Sequence, residues 1–180
     1  MSMRVLGIDP GLRSTGYGTV EQIGGRPRLI EAGVVAPNPG GTLETRLREL
    51  HDGITGVVTS TQPDWIVIEE LYTSYKNPYT AILMGHARGV LCLVGAQASV
   101  PVRTLAHSLV KRALVGSGSA RKEQVSHMVT DLLGLRCVPA PSDVSDALAL
   151  ALAFINVREH EERYPFAVAL RSPKRVRRPA

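Results

Sequence analysis

The chain has 180 residues, of which 44% are hydrophobic, which is enough to bury one core but too little for two ordinary enzyme domains. Its net charge of +5 comes entirely from residues 171–180, where five basic and no acidic side chains lie, so the other 170 residues are electrically balanced. The two cysteines, Cys92 and Cys137, have no second cysteine nearby, which argues against a zinc site or a disulfide framework.

The apolar segments are short. The longest run, residues 147–155, has about half the length of a membrane-spanning helix. The N-terminus passes directly into a strand-like segment, without an apolar signal region. We therefore expect a cytoplasmic protein without a membrane segment, with one domain over residues 1–160 and a flexible basic tail over residues 161–180.

The first half of the chain predicts four strands and one helix. Alternating and β-branched residues favour strands at residues 5–9, 14–21 and 28–35, separated by the turn signals Pro10-Gly11 and Gly24-Gly25. Apolar residues at helical spacing predict an amphipathic helix over residues 42–61. Residues 65–68 are all apolar, as in a central strand, and the intervening helix makes this strand parallel to the first.

The second half is mainly helical. We predict helices at residues 78–98, 106–115, 120–133 and 142–161, and a short strand at residues 102–105. The order of elements predicts an α/β protein with a mixed five-stranded sheet and helices on both faces. This is the arrangement of the ribonuclease H-like class.

Four acidic residues fall where they can meet. Asp9 and Glu69 end two strands that we expect to be parallel neighbours, and Asp143 and Asp146 share one face of the last helix. Such a cluster is costly unless cations neutralise it, and an all-oxygen set suits Mg²⁺. Two ions about 4 Å apart would activate a water and stabilise the leaving oxygen of a phosphodiester.

Two alternatives remain open at these positions. Asp143, with Ser142, could simply cap the last helix. Glu70 competes with Glu69, because successive strand residues face opposite ways and only one can point at Asp9. Counting from the apolar strand favours Glu69 and leaves Glu70 as a neighbour.

An ordered set of motifs over about residues 3–157 resembles the RuvC family of crossover-junction endodeoxyribonucleases. The motifs are Gly7-Ile8-Asp9-Pro10-Gly11, Thr15-Gly16-Tyr17-Gly18, Ile68-Glu69, Gly85-His86-Ala87-Arg88-Gly89, Val110-Lys111, residues 116–119, and Asp143 with Asp146-Ala147-Leu148-Ala149. The chain departs from the commonest pattern at Glu70, where the family frequently has glutamine.

The resemblance implies a homodimer of the ribonuclease H-like fold that resolves Holliday junctions by two symmetric nicks, leaving 5'-phosphate and 3'-hydroxyl ends. It implies a nuclease domain over residues 1–160, with branch-migration proteins as partners. The residues that match the family's metal ligands are Asp9, Glu69, Asp143 and Asp146, which would bind Mg²⁺ with Mn²⁺ able to substitute. Lys111 and Lys122 match basic residues near the DNA, and the match also implies that Lys122 lies at the active site. Tyr72 matches an aromatic residue at the junction centre.

Other basic residues suggest a DNA surface. Arg112 and Arg121, with Arg103, precede the last helix and could hold phosphates, although a solvated face is the alternative. The tail at residues 171–180 could contact phosphates or only aid solubility. The five histidines form no ligand-spaced pair, and we predict no catalytic role for His51, His86, His107, His127 or His160.

Two other functions compete with the nuclease. A first hairpin with Asp9 and glycines also occurs in ATPases of the actin and sugar-kinase type, but these usually need a second domain that 180 residues cannot supply. A DNA-binding module with a decayed active site is the other rival. The presence of all four acids argues against it.

Overall fold

The computed structural model describes residues 2–71 and 78–163, and within them the chain forms one sheet flanked by helices. The strands are β1 (Ser2–Asp9), β2 (Thr15–Ile23), β3 (Arg26–Val35), β4 (Trp65–Glu69) and β5 (Val102–Leu105). The helices are α1 (Leu43–Thr61), α2 (Pro78–Gln97), α3 (His107–Val115), α4 (Lys122–Leu133) and α5 (Ser142–Arg163). Every predicted element is present. The largest boundary difference is at β1, which begins three residues earlier because Met3 pairs with Gln22.

The sheet is mixed, with the strand order β3-β2-β1-β4-β5. The first three strands form an antiparallel meander, β4 runs parallel to β1, and β5 runs parallel to β4. The parallel pairing follows from α1, which crosses over one face and returns the chain to the same end of the sheet. The predicted five-stranded mixed sheet is confirmed. The carboxyl ends of β1, β4 and β5 meet at one edge.

Hydrophobic clusters cover both faces of the sheet, because successive strand residues alternate between them. Leu6, Ile8 and Ile68 pack against α1 and α2 on one face. Val5 and Val67 pack on the other face against α5, on which α3 and α4 also lie. Residues 147–155 are all buried, as the sequence predicted for the run beginning at Ala147. The amino end of α5 is thereby fixed over the central strands.

Two glycines allow α5 to approach the sheet closely. A Cβ atom at Gly7 in β1 would collide with the carbonyl oxygen of Ala147, and one at Gly16 in β2 would collide with the backbone of Asp143. Gly16 also lies directly opposite Asp9 in the β1–β2 pairing. The missing side chains therefore bring the first turns of α5 against the end of β1.

Helix α2 is apolar and largely exposed. It is the one helix within residues 2–71 and 78–163 that is long and apolar enough to cross a membrane, although only 22% of its apolar stretch is buried. The length of uninterrupted apolar runs, on which the sequence expectation rested, therefore did not identify this helix as a candidate span. Length and composition are weak evidence for a membrane span, since core helices of soluble proteins and signal sequences meet the same criteria. One side of α2 packs on α1.

Candidate active site

The four predicted acids converge at the carboxyl edge of the parallel strands. Asp9 and Glu69 follow Ile8 and Ile68, which are paired in the β1–β4 register, so the two acids end neighbouring strands. Asp143 and Asp146 lie in the first turns of α5, which can pack beside Asp9 because Gly16 has no side chain. Glu70, by contrast, is exposed, and its backbone amide donates to the carbonyl of Leu105. The geometry therefore selects Glu69 over Glu70 as the neighbour of Asp9.

The electrostatics of Asp9 reflect this crowding. Burial, followed by the negative charges of Glu69, Asp146 and Asp143 and a hydrogen bond with Glu69, raises the pKa of Asp9 from 3.8 to about 8. Asp9 is therefore held protonated at neutral pH when no cation offsets its neighbours. A raised pKa caused by both desolvation and like charges is typical of functional sites.

The other three acids each accept a hydrogen bond from a nearby side chain. Ser14 donates to Asp143 Oδ2 at 2.6 Å, and Lys122 Nζ donates to Asp146 Oδ2 at 2.5 Å. His107 Nδ1 lies 2.8 Å from Glu69 Oε1. Asp143 also has the Ser142 hydroxyl within 3.3 Å. Each carboxylate thus faces a partner that fixes its orientation or offsets its charge.

The acid cluster suits a magnesium ion by donor type and charge. In the described parts of the chain, no three His, Cys, Asp or Glu side chains are already arranged as a metal-ligand group. Mg²⁺ does not require such a cage, because it usually keeps several waters and binds through one or two carboxylates. Asp9, Glu69, Asp143 and Asp146 supply only oxygen donors, and burial together with the neighbouring negative charges raises the pKa of Asp9, an effect that a bound cation would oppose.

Lys122, the first residue of α4, belongs to the cluster. Burial lowers its pKa, but the hydrogen bond and charge of Asp146, with the charges of Asp9 and Asp143, raise it above the usual value overall. Its ammonium group therefore remains charged beside the acids. Lys122 thus lies beside the four acids, and its role in an active site stays a prediction.

The other basic residues of the predicted DNA surface lie on α3, at the start of α4 and on β5. Within residues 2–71 and 78–163, no hydrogen bond or ion pair joins Lys111, Arg112 or Arg121 to a member of the cluster. Lys111 is half-buried on α3, and Arg112 and Arg121 are exposed. Arg103 lies over the ring of Trp65, 5.5 Å from its centroid, at the opposite end of β4 from Glu69. Tyr72 and the basic tail at residues 171–180 lie outside the described residues.

Sequence reasoning missed two residues that hold Glu69. His107 contacts its carboxylate, whereas the sequence offered no ligand spacing for any histidine. Arg88 of α2 donates to the Glu69 carbonyl at 2.7 Å and to Thr104 Oγ1 at 2.6 Å, which ties α2 to the ends of β4 and β5. No local sequence pattern indicates His107, because its position depends on the parallel register in which Glu69 pairs with Leu105.

Two features define a protein of the ribonuclease H-like class. One is the strand order of the sheet, and the other is the group of acids at the ends of the central strands and on the helix that packs across these strands. The family model for "Crossover junction endodeoxyribonuclease RuvC" matches residues 5–154. The chain therefore belongs to the RuvC family of crossover junction endodeoxyribonucleases, as its motifs predicted.

Individual relatives agree in sequence and in fold. The crossover junction endodeoxyribonuclease RuvC of Rhodopirellula baltica is 46% identical over 148 residues, which cover 82% of this chain and 83% of the relative. The structure of Thermus thermophilus RuvC superposes with a TM-score of 0.82 at 34% identity, covering 88% of this chain and 96% of the other. The same Thermus protein in complex with a Holliday junction substrate gives a TM-score of 0.81 at 32% identity, with the same coverage.

Proposed function

We propose that this endonuclease resolves four-way Holliday junctions in DNA recombination and repair by two symmetric, metal-dependent nicks that leave 5'-phosphate and 3'-hydroxyl ends. The complex of the Thermus relative with a Holliday junction substrate supports the choice of substrate. The observation that carries the proposal is the convergence of three further acids on Asp9, whose pKa is raised to about 8 by burial and by their negative charges.

The metal ligands in this proposal are Asp9, Glu69, Asp143 and Asp146, which would hold two Mg²⁺ ions, with Mn²⁺ as a substitute. When bound, such ions supply an activated water and stabilise the charge on the leaving oxygen. The chain's own contribution is to hold the carboxylates in place through Gly16 and the hydrogen bonds of Ser14 and His107. Lys122 adds a positive charge beside the acids, close to the expected position of a phosphate.

The DNA surface in this proposal consists of Lys111, Lys122, Arg112 and Arg121. Lys111 and Arg112 lie on α3, Arg121 and Lys122 lie at the start of α4, and Lys122 contacts the acid cluster. Contacts from such side chains to phosphates position the duplex without reading its sequence. Tyr72 is proposed to stack on a base at the branch point, since an aromatic ring accepts any unpaired base.

Two symmetric nicks require two active sites related by a twofold axis, so we propose a homodimer. The exposed apolar residues of α2 support this helix as the interface, because Ile82 is 57% and Leu93 50% exposed. Arg88 on the same helix reaches Glu69, so an interface on α2 would also support the active site. We further propose that the protein acts on cytoplasmic DNA together with branch-migration proteins, as the family resemblance implies.

The test is cleavage of a synthetic four-way junction and a matched linear duplex, with Mg²⁺, Mn²⁺ or EDTA. The wild-type protein should cut only the junction and only with metal. Asp146→Asn should abolish cutting while leaving junction binding in EDTA largely intact, because it removes a ligand but not the DNA surface. Asp131→Asn, an exposed acid on α4 outside the cluster, is the matched control and should cut normally.

Two results would contradict the proposal. A fully active Asp146→Asn protein would show that the acid cluster does not take part in the reaction. A wild-type protein that binds junctions but cuts none with either metal would instead favour a DNA-binding module without activity.

A further inference from the structure

His107 stands against one of the proposed metal ligands. Its Nδ1 atom lies 2.8 Å from Glu69 Oε1, and its ring is 45% exposed. An ionised carboxylate only accepts hydrogen bonds, so Nδ1 must carry the hydrogen in this contact. The imidazole also lines a small cleft, open to solvent, whose walls are formed by Glu69, His107, Val110, Asp146, Ala149 and Leu150.

Regular backbone hydrogen bonds hold the chain on both sides of His107. Strand β5 ends at Leu105, which pairs with Glu69, and the amide of Glu70 donates to the Leu105 carbonyl at 2.9 Å. The chain then turns into α3, where the carbonyl of Ala106 accepts from the amide of Val110. The side chains of Val110 and Leu114 anchor the helix in the core. His107 is therefore presented to Glu69 by regular structure rather than by a loop.

The Glu69 carboxylate lies between two groups. Asp9 hydrogen-bonds to it from β1, and His107 contacts it from α3. A glutamate has three side-chain torsions, and ordering them costs conformational entropy. The hydrogen bond from His107 lowers this cost during metal binding, because it already holds the Glu69 carboxylate in one orientation.

We propose that His107 is a positioning residue, which holds the Glu69 carboxylate in the orientation that binds the metal. This inference rests on the proposed function, in which Glu69 is a ligand. Partners that orient metal ligands in this way typically change metal affinity by about 10- to 100-fold when they are removed. A bond that served only the stability of the fold would leave metal affinity unchanged.

The test compares His107→Ala with His107→Asn, since the asparagine amide nitrogen can take the place of Nδ1. Mn²⁺ binding to the DNA-free protein is measured by titration calorimetry, and the Mn²⁺ concentration for half-maximal junction cleavage is measured separately. His107→Ala should weaken Mn²⁺ binding by about 10- to 100-fold. The maximal rate at saturating Mn²⁺ should change much less. His107→Asn should recover most of the lost affinity.

Controls separate this effect from folding and from DNA binding. His127→Ala removes an exposed histidine from α4 and should match the wild type in every measurement. Junction binding in EDTA and the melting temperature in EDTA should be close to wild-type values for all three variants. A loss of affinity that His107→Asn fails to restore would overturn the positioning role.

The inference and the proposed function fail in different ways. Wild-type Mn²⁺ affinity in His107→Ala, with Asp146→Asn inactive, would overturn the role of His107 alone. Wild-type Mn²⁺ affinity and cleavage in Glu69→Gln would overturn the ligand assignment, and with it both proposals.

Discussion

Gly16→Ala tests how closely α5 must approach the sheet. The backbone of Gly16 does not adopt a positive φ, so alanine is tolerated by the local conformation and its effect is steric. The new Cβ atom would lie 2.8 Å from the Cβ atom of Asp143 and closer still to its carbonyl group. Carbon atoms prefer about 3.5–4.0 Å, so the amino end of α5 must move by on the order of 1 Å.

A displacement of this size has a defined cost. Misplacing a catalytic group by about 1 Å lowers a rate by about 100-fold, and overpacking typically destabilises a fold by about 1–3 kcal/mol. We therefore expect Gly16→Ala to cut a four-way junction about 100-fold more slowly under single-turnover conditions. The protein should remain folded, with a lower melting temperature and with junction binding in EDTA retained.

The matched control is Gly56→Ala in the exposed middle of α1. A Cβ atom there meets nothing within 4 Å, so this variant should keep wild-type cleavage. It should also gain about 0.5–1 kcal/mol in stability, as alanine does when it replaces glycine within a helix. If Gly16→Ala cut and melted like the wild type, α5 could not lie against β2 at the distance described.

Three further predictions concern the acid cluster and its supports. The pKa of Asp9 in the folded protein is about 8 and its ordinary value is 3.8, so protonation of Asp9 favours folding. The melting temperature in EDTA should therefore fall as the pH rises from about 4 to about 8, and Asp9→Asn should flatten that fall. An unchanged profile in Asp9→Asn would show that Asp9 is not buried among the other acids. Arg88→Lys keeps the charge but loses the paired hydrogen bonds to Glu69 and Thr104, so single-turnover cleavage should slow about tenfold with junction binding in EDTA preserved; an unchanged rate would make the contact incidental. Ile82→Glu places a charge on the exposed face of α2 and should shift the protein towards monomer in sedimentation, whereas a dimer of wild-type strength would locate the interface elsewhere.

The fold could be predicted because its elements differ in hydrophobic period. The all-apolar run that became β4 and the helical spacing in α1 identified a buried parallel strand and its crossover. Turn residues marked the meander, although they fixed the strand ends less well, because β1 extends towards Ser2 by pairing with β2 rather than by its own pattern. Pairing partners outside the local segment decide such boundaries.

The acids of the candidate site were predictable, and the family resemblance indicated Lys122, but the partners of Glu69 were not predicted. Asp9 and Glu69 end strands, and Asp143 and Asp146 precede a buried helix, so local patterns were enough to bring them to one edge. His107 and Arg88 reach Glu69 from separate elements, 38 and 19 residues away in the chain. Their contacts depend on the β4–β5 register and on the placement of α2, which no local periodicity contains.

The apolar run after the two helical acids has a role in the site as well as in the core. Raising the pKa of Asp9 from 3.8 to about 8 corresponds to at most about 6 kcal/mol of unfavourable interaction, part of which acts against the amino end of α5. Burial of one large apolar side chain contributes about 1.5–3 kcal/mol, and Leu148, Leu152 and Ile155 are each at most 2% exposed. Three such side chains together are comparable in magnitude with that cost, which comes from the burial of Asp9 as well as from repulsion between the acids. The segment that anchors α5 can therefore keep its acids close together, because stability gained along the helix offsets the strain at its end.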